Sequence, residues 1–396
     1  MTFRSAAPSL TAAAALLAFH PVALLAQDAA DGATAEQPAA EQPAADPAAA
    51  ASAGADATAS GDPAAAGAVA SPPEAPNADM QAVLDKLAEL GARPIEELTV
   101  EEARTQPSPA DAVMAVMEER GIEMPAELAA IATRDVTYPA ADGSSQPARI
   151  YTPEGDGPFP LVIYFHGGGW VIADIDTYDA SARALAAGAN AVVVSVEYRQ
   201  APENPFPAAH DDANAAFEHF VETSGEINAD AGRLAVAGES AGGNLAVNVA
   251  IHARDAQLTQ PDHMLLVYPV AGRDMETPSY QTYADAKPLS KAGMMWFVEH
   301  VFADPSQTAD PRLDLVNRDD LAGLPPATVI NAEIDPLQSE GEVLAANLQA
   351  AGVEVEQMTY GGVTHEFFGM GAVVPEAKQA VDMAAGALTD AFATAQ

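Results

Sequence analysis

The chain has 396 residues, of which 17 are Lys or Arg and 57 are Asp or Glu, for a formal net charge of −40. Almost half are apolar and none is cysteine, so a sizeable core can form, without disulfides and without a lipidated cysteine. So acidic a chain repels nucleic acid and anionic membranes.

The N-terminus has the layout of an export signal. Arg4 supplies a positive start, Leu10 to Phe19 a short apolar stretch, and Leu24-Leu25-Ala26 a cleavage site, giving a signal over residues 1–26. The expected location is the periplasm or the exterior, with no stable membrane insertion once the signal is removed. No other apolar run is long enough to cross a bilayer. Residues 27–77 are mostly Ala, Pro, Asp, Glu, Gln, Gly and Ser. They lack the large apolar side chains that offset the entropy of ordering, so they read as a disordered acidic linker. This linker carries only eight of the acids, so the folded part is acidic too, and it has few lysines. That balance suggests a salty habitat, where counter-ions screen self-repulsion.

Structure begins near Met80. Met80, Val83, Leu84, Leu87 and Leu90 recur at helical spacing, and Gly91 closes the segment. A second helix covers Ala110 to Gly121. Strands and helices then alternate. Strands are expected at 134–138, 148–152, 159–165, 191–196, 234–237, 264–268, 327–332 and 355–360. Helices are expected at 178–187, 208–221, 241–254, 340–351 and 376–391. The run Phe159 to Phe165 is apolar throughout, as in a strand buried on both faces. Only residues 273–323 break the rhythm, around a helical piece at Met294 to Val301. Eight strands with crossover helices predict an α/β fold with one mostly parallel, doubly wound sheet.

Three places on this framework carry chemistry. Gly238-Glu239-Ser240-Ala241-Gly242 lies between a strand and a helix and matches a nucleophile elbow. A serine hydroxyl attacks only when it is exposed beside a base, and small neighbours let the backbone bend that sharply. His365 follows the last strand, where sites of open α/β sheets gather. His210, His219, His252 and His300 fall in expected helices, His263 leads into a strand, His166 belongs to the glycine run and His20 to the export signal, which leaves His365 as the base. Asp335 follows the preceding strand, and Pro336 ends that strand; Glu333 is its rival as orienting acid. The order Ser240, Asp335, His365 is that of an α/β-hydrolase. Phe165-His166-Gly167-Gly168-Gly169-Trp170 supplies backbone amides without side chains in the way, but lacks the ending of a phosphate loop. The amides of Gly167, Gly168 and Ala241 are the oxyanion donors of this reading.

Taken together, His166 to Trp170, Gly238 to Gly243, Glu197 to Glu203, Asp335-Pro336-Leu337 and His365-Glu366-Phe367 resemble the bacterial hormone-sensitive-lipase family (family IV) of esterases. The resemblance runs from about Met80 to the end. It implies an α/β-hydrolase core over 132–396, with a helical cap from residues 78–131 and from an insertion at about 273–323. It also implies hydrolysis of short-to-medium acyl carboxylic esters, with no cofactor. Glu239 stands where the family often has Asp or Thr, and Ser339 where an acid is common; neither touches the triad.

Trp170, Val171 and Met295 are the expected substrate walls, although the Met294 to Phe297 cluster suits cap packing equally well. No metal motif is present. The partner expected is a small-molecule ester, and a homodimer is compatible with the sequence. Three rivals use the same residues differently: an amidase or deacetylase, a non-catalytic binding protein on a hydrolase scaffold, and a lipase of lipid droplets.

Overall fold

The computed structural model describes residues 75–394. The export segment lies outside them, as does nearly all of the linker. Asn77, placed at the linker's end by sequence, belongs to the folded part: its side chain caps the first helix and its amide donates to Gly362 O at 2.8 Å.

The described residues open with four helices: α1 (Ala78–Glu89), α2 (Val100–Thr105), α3 (Pro109–Arg120) and α4 (Ala126–Ala129). Their starts follow from local chemistry. Thr99 with Glu102 and Ser108 with Asp111 form capping boxes, which satisfy amides that have no partner inside a helix. The sheet and its crossovers follow: β1 (Ala132–Pro139), β2 (Ser145–Thr152), β3 (Phe159–Phe165), α5 (Asp179–Ala189), β4 (Val192–Val196), α6 (Ala208–Glu222), β5 (Ala229–Glu239) and α7 (Ala241–Asp255). The second half comprises β6 (His263–Val267), α8 (Pro278–Thr282), α9 (Lys291–Val301), β7 (Ala327–Ile334), α10 (Gln338–Ala350), β8 (Val355–Thr364) and α11 (Pro375–Thr394).

The eight strands form one sheet in the order β1-β2-β4-β3-β5-β6-β7-β8. β2 is antiparallel to both its neighbours, and all pairs from β4 to β8 are parallel. The alternation of side chains along β3 divides the core. Leu161, Ile163 and Phe165 face one hydrophobic cluster, which also takes Phe217 of α6, Leu245 of α7 and Leu344 of α10. Val162 and Tyr164 face the other, with Leu185 of α5 and Leu388 of α11. Each of these side chains is essentially fully buried, worth roughly 1.5–3 kcal/mol apiece for the aliphatic ones. Burial on both faces is the reason the central strands read as continuous apolar runs.

The largest extensions beyond the expected ranges are at β5 and β8. β5 begins at Ala229 rather than Leu234, and β8 continues through Gly361 and Gly362 to Thr364 rather than ending at Tyr360. Glycines argued for a loop before His365. Sheet pairing holds them extended instead: Thr364 is still in register with Ile334. The N-terminal segment and the 273–323 segment meet. The Trp296 indole donates to Leu98 O at 2.9 Å, and Ser290 Oγ to Glu96 at 3.3 Å. No helix among the described residues is long and apolar enough to cross a membrane.

Candidate active site

The nucleophile candidate sits on a strained turn. Ser240 has φ 55° and ψ −118°, a region non-glycine residues rarely occupy, between the end of β5 and the start of α7. The turn is held from both sides. Ser240 N donates to Val267 O at 2.9 Å, and Val270 N donates to Ser240 O at 3.1 Å. A Cβ on Gly242 would lie 1.9 Å from Phe165 O, so only glycine lets α7 approach the end of β3.

His365 and Asp335 reach the same point from the ends of β8 and β7. His365 Nε2 is 3.0 Å from Ser240 Oγ, and His365 Nδ1 is 2.6 Å from Asp335 Oδ2. The second carboxylate oxygen of Asp335 accepts the Leu337 amide at 2.9 Å, which fixes its rotation. Ser240, Asp335 and His365 are all buried. Burial alone would lower the His365 pKa. The carboxylate of Asp335, followed by Glu366 and Glu239, outweighs it, and the net direction is upward from 6.5. Glu333 is engaged elsewhere, accepting the Gly362 amide at 2.8 Å.

The glycine run lies alongside. A Cβ on Gly167 would be 3.2 Å from Glu239 O, next to the nucleophile, and one on Gly242 would be 2.6 Å from His166 O. The loop and the start of α7 therefore abut. Among the described residues, the amides of Gly167, Gly168 and Ala241 have no hydrogen-bond partner. Free amides favour developing negative charge, and that of Ala241 stands in addition at the N-terminus of α7. Gly168 has φ 90°, and a Cβ there would meet Ile172 O at 2.1 Å, so no other residue fits.

The Glu197 to Glu203 motif braces this loop from below. His166 Nε2 is 3.2 Å from Glu197, Tyr198 stacks on His166 at 4.5 Å, and the Tyr198 hydroxyl donates to His166 O at 2.9 Å. Arg104 of α2 donates to Val171 O and to Ala201 O, both at 2.8 Å, and pairs with Glu203.

Several groups around the centre were not legible as functional in the sequence. Tyr268, just beyond β6, places its ring 4.4 Å from that of His365 and donates its hydroxyl to Glu239, which also accepts from Tyr164 at 2.5 Å. Burial pushes Glu239 up to about 7. Behind Asp335, Glu340 accepts the Ala271 amide at 2.8 Å, and burial pushes it up to about 8. Glu366 faces the site with its carboxylate held by Tyr178 at 2.8 Å. Position just past a parallel strand marks Tyr268 and Glu366, but the sequence carries no sign of their partners.

The site opens into a cavity of about 1810 Å³, whose lining includes Gly168, Ser240, His365 and Glu366. Trp170 lines it, and Met295 lines it as a half-exposed residue. Val171 does not. It is fully buried in the main core, because the turn after Gly168 directs it inward, so its expected role as a substrate wall is withdrawn. Phe297 of α9 presses on the glycine loop: a Cβ on Gly169 would lie 2.2 Å from its ring. Among the described residues, no group of three or more His, Asp or Glu is placed to hold a metal ion.

This fold and site define an α/β-hydrolase: the chain belongs to the alpha/beta hydrolase fold family Abhydrolase_3, whose model matches residues 162–369, and within it to the hormone-sensitive-lipase (family IV) carboxylesterases. It is similar to the carboxylesterase NlhH of Mycobacterium tuberculosis strain H37Rv, with 40% identity over 62% of this chain and 78% of that protein. It is also similar to an ethyl acetate hydrolase of Pseudomonas putida, with 35% identity over 64% of this chain and 81% of that protein. Among solved structures, a thermostable esterase from Pseudomonas putida ECU1011 superposes with a TM-score of 0.72 at 33% identity, covering 81% of this chain and 99% of that one.

Proposed function

We propose that this chain hydrolyses carboxylic esters with short-to-medium acyl chains, using Ser240 as nucleophile, His365 as general base and Asp335 as its orienting acid. The observation that carries this reading is the unbroken chain from Ser240 Oγ to His365 to Asp335, at 3.0 and 2.6 Å, with Ser240 and His365 lining the cavity. His365 Nε2 takes the Ser240 proton as Oγ attacks the ester carbonyl. The amides of Gly167, Gly168 and Ala241 receive the oxyanion; losing one such donor costs about 3 kcal/mol of transition-state stabilisation. The imidazolium then protonates the departing alcohol. Water, deprotonated by His365, attacks the acyl-enzyme, and Ser240 leaves with that proton.

The acyl-chain range is supported by Phe297, whose ring stands against Gly169 where both line the cavity. A curated relative named for ethyl acetate points the same way. The test is hydrolysis of p-nitrophenyl esters from acetate to palmitate, with Ser240→Ala in parallel. Turnover that declines beyond short chains and disappears in the variant is the expected result. An active, folded Ser240→Ala protein overturns the nucleophile. Failure of the wild type to turn over any ester or to be labelled by a fluorophosphonate favours the binding-protein reading.

A further inference from the structure

One carboxylate at this site has no part in the mechanism above. Glu366 directly follows His365, lines the same cavity, and keeps about a fifth of its side chain exposed, at 20%. Its Oε1 stands 3.8 Å from His365 Nε2, the atom that bonds Ser240. That is too long for a direct hydrogen bond, but a water about 2.8 Å from each atom spans it.

Three features show that the carboxylate is held there. The Tyr178 hydroxyl sits 2.8 Å from both of its oxygens. Tyr178 is itself fixed against the glycine loop: a Cβ on Gly167 would lie 2.3 Å from its hydroxyl. The backbone of Glu366 has φ 72°, a left-handed conformation that costs a side-chain-bearing residue energy. The titratable groups whose charge or hydrogen bond acts on it are His365, Tyr178, Asp335, His166 and Glu239. Burial holds its pKa above the usual carboxylate value, and His365 and the Tyr178 hydroxyl offset only part of that rise.

Resting on the triad reading above, we propose that Glu366 holds the water that hydrolyses the acyl-enzyme. Once Ser240 is acylated, His365 Nε2 has lost its bond to the serine proton and its lone pair is free. The water donates one O–H to Glu366 and the other to Nε2. Its oxygen bonds to the acyl carbon as Nε2 takes the proton. The tetrahedral adduct collapses by breaking the bond between that carbon and Ser240 Oγ, and the imidazolium returns the proton to Ser240. The acid product leaves. Glu366 accepts a hydrogen bond throughout and no proton stays on it, so it acts in deacylation and not in the attack by Ser240.

The test separates the two half-reactions with p-nitrophenyl acetate at pH 8. Release of p-nitrophenolate reports acylation. Decay of the acetyl-enzyme, trapped by acid quench and weighed by intact-mass spectrometry, reports deacylation. Glu366→Gln and Glu366→Gly are compared with wild type. The glycine variant takes the left-handed backbone without strain, which offsets part of the loss of the Tyr178 hydrogen bond, and the thermal midpoints of both variants are measured so that a folding defect is recognised as such. The expected outcome is a deacylation rate lowered by about tenfold or more, with kcat/KM within about twofold of wild type and acetyl-enzyme accumulating. Unchanged acetyl-enzyme decay in both variants overturns the proposal. So does an equal fall in acylation and deacylation, which would mean that Glu366 acts only on the charge of His365. Turnover by Ser240→Ala is a separate outcome, which would remove the triad reading itself.

Discussion

His365 is an imidazole buried among carboxyl groups, and this sets the pH at which the site works. Asp335 bonds it directly, while Glu366 and Glu239 act through space, and their sum exceeds the burial penalty. The base must be neutral to accept the Ser240 proton. With the folded pKa above 6.5, activity should fall with acid already above that value, rather than at it. A kcat/KM profile with its acid midpoint at or below about 6 would contradict this. Asp335→Asn should lower kcat by about 10⁴-fold by favouring the wrong tautomer, with the fold retained by circular dichroism. Glu340 gives a stability counterpart. Its unfolded value is near 4.5 and its folded value about 8, so the folded state binds the extra proton between those limits. Stability contributed by protonated Glu340 is thus present below about pH 4.5 and is lost as pH rises toward 8. Glu340→Gln keeps a carbonyl for the Ala271 amide and carries no charge. It should raise the thermal midpoint at pH 9 more than at pH 5, by a free energy on the order of a few kcal/mol. Equal effects at both pH values would show that Glu340 does not change its proton on folding.

At the scale of elements, the parts best read from sequence are those with one dominant force. The central strands are apolar on both faces because helices cover both, so β3, β4 and β6 declare themselves within a residue or two. The elbow and the glycine loop are legible because their backbones exclude side chains, as at Gly168 and Gly242. Elements stabilised by contacts remote in sequence were missed. α2 has six residues and one buried side chain, and its use is to carry Arg104 to the carbonyls of Val171 and Ala201. The end of β8 is held by β7 and not by its own residues. The pairs Tyr178 with Glu366 and Tyr268 with Glu239 each join segments remote in the chain, and no spacing rule connects them. Two substitutions test the elements around the cavity. Ser108→Ala removes the capping box of α3 and should cost about 1 kcal/mol, seen as a thermal midpoint lower by about 2 °C. Phe297→Ala removes the ring that presses on Gly169 and should shift the acyl-chain optimum to longer esters while leaving acetate turnover in place. An unchanged chain-length profile would place the limiting wall elsewhere.

Charge is the property of the whole molecule. Among the described residues, every arginine except Arg134 lies within ion-pair distance of a carboxylate, as do Lys86, Lys291 and Lys378. Arg149 alone takes Asp135, Asp176 and Asp179. The cations are therefore largely committed, and with 17 against 57 a large surplus of carboxylates has no cation to meet. Two effects of salt then oppose each other. Screening weakens the pairs, most of which join partly exposed side chains worth about 0–1 kcal/mol each. Screening also weakens repulsion among the surplus carboxylates, which is long-ranged and summed over the surface. At 0.01 M salt the Debye length is about 30 Å and repulsion acts across much of the molecule; at 1 M it is about 3 Å and repulsion is confined to neighbours. The short pairs survive that change better than the long-range repulsion does. The thermal midpoint should therefore rise from 0.01 to 1 M NaCl, most steeply over the first few tenths molar. Guanidinium-free measurement by calorimetry at pH 8 checks it, with sodium sulfate avoided because it also strengthens apolar burial. A midpoint that stays level or falls with NaCl would mean that the ion pairs, despite their exposure, outweigh the repulsion, and the salt-adapted reading of the acidic surface would be lost.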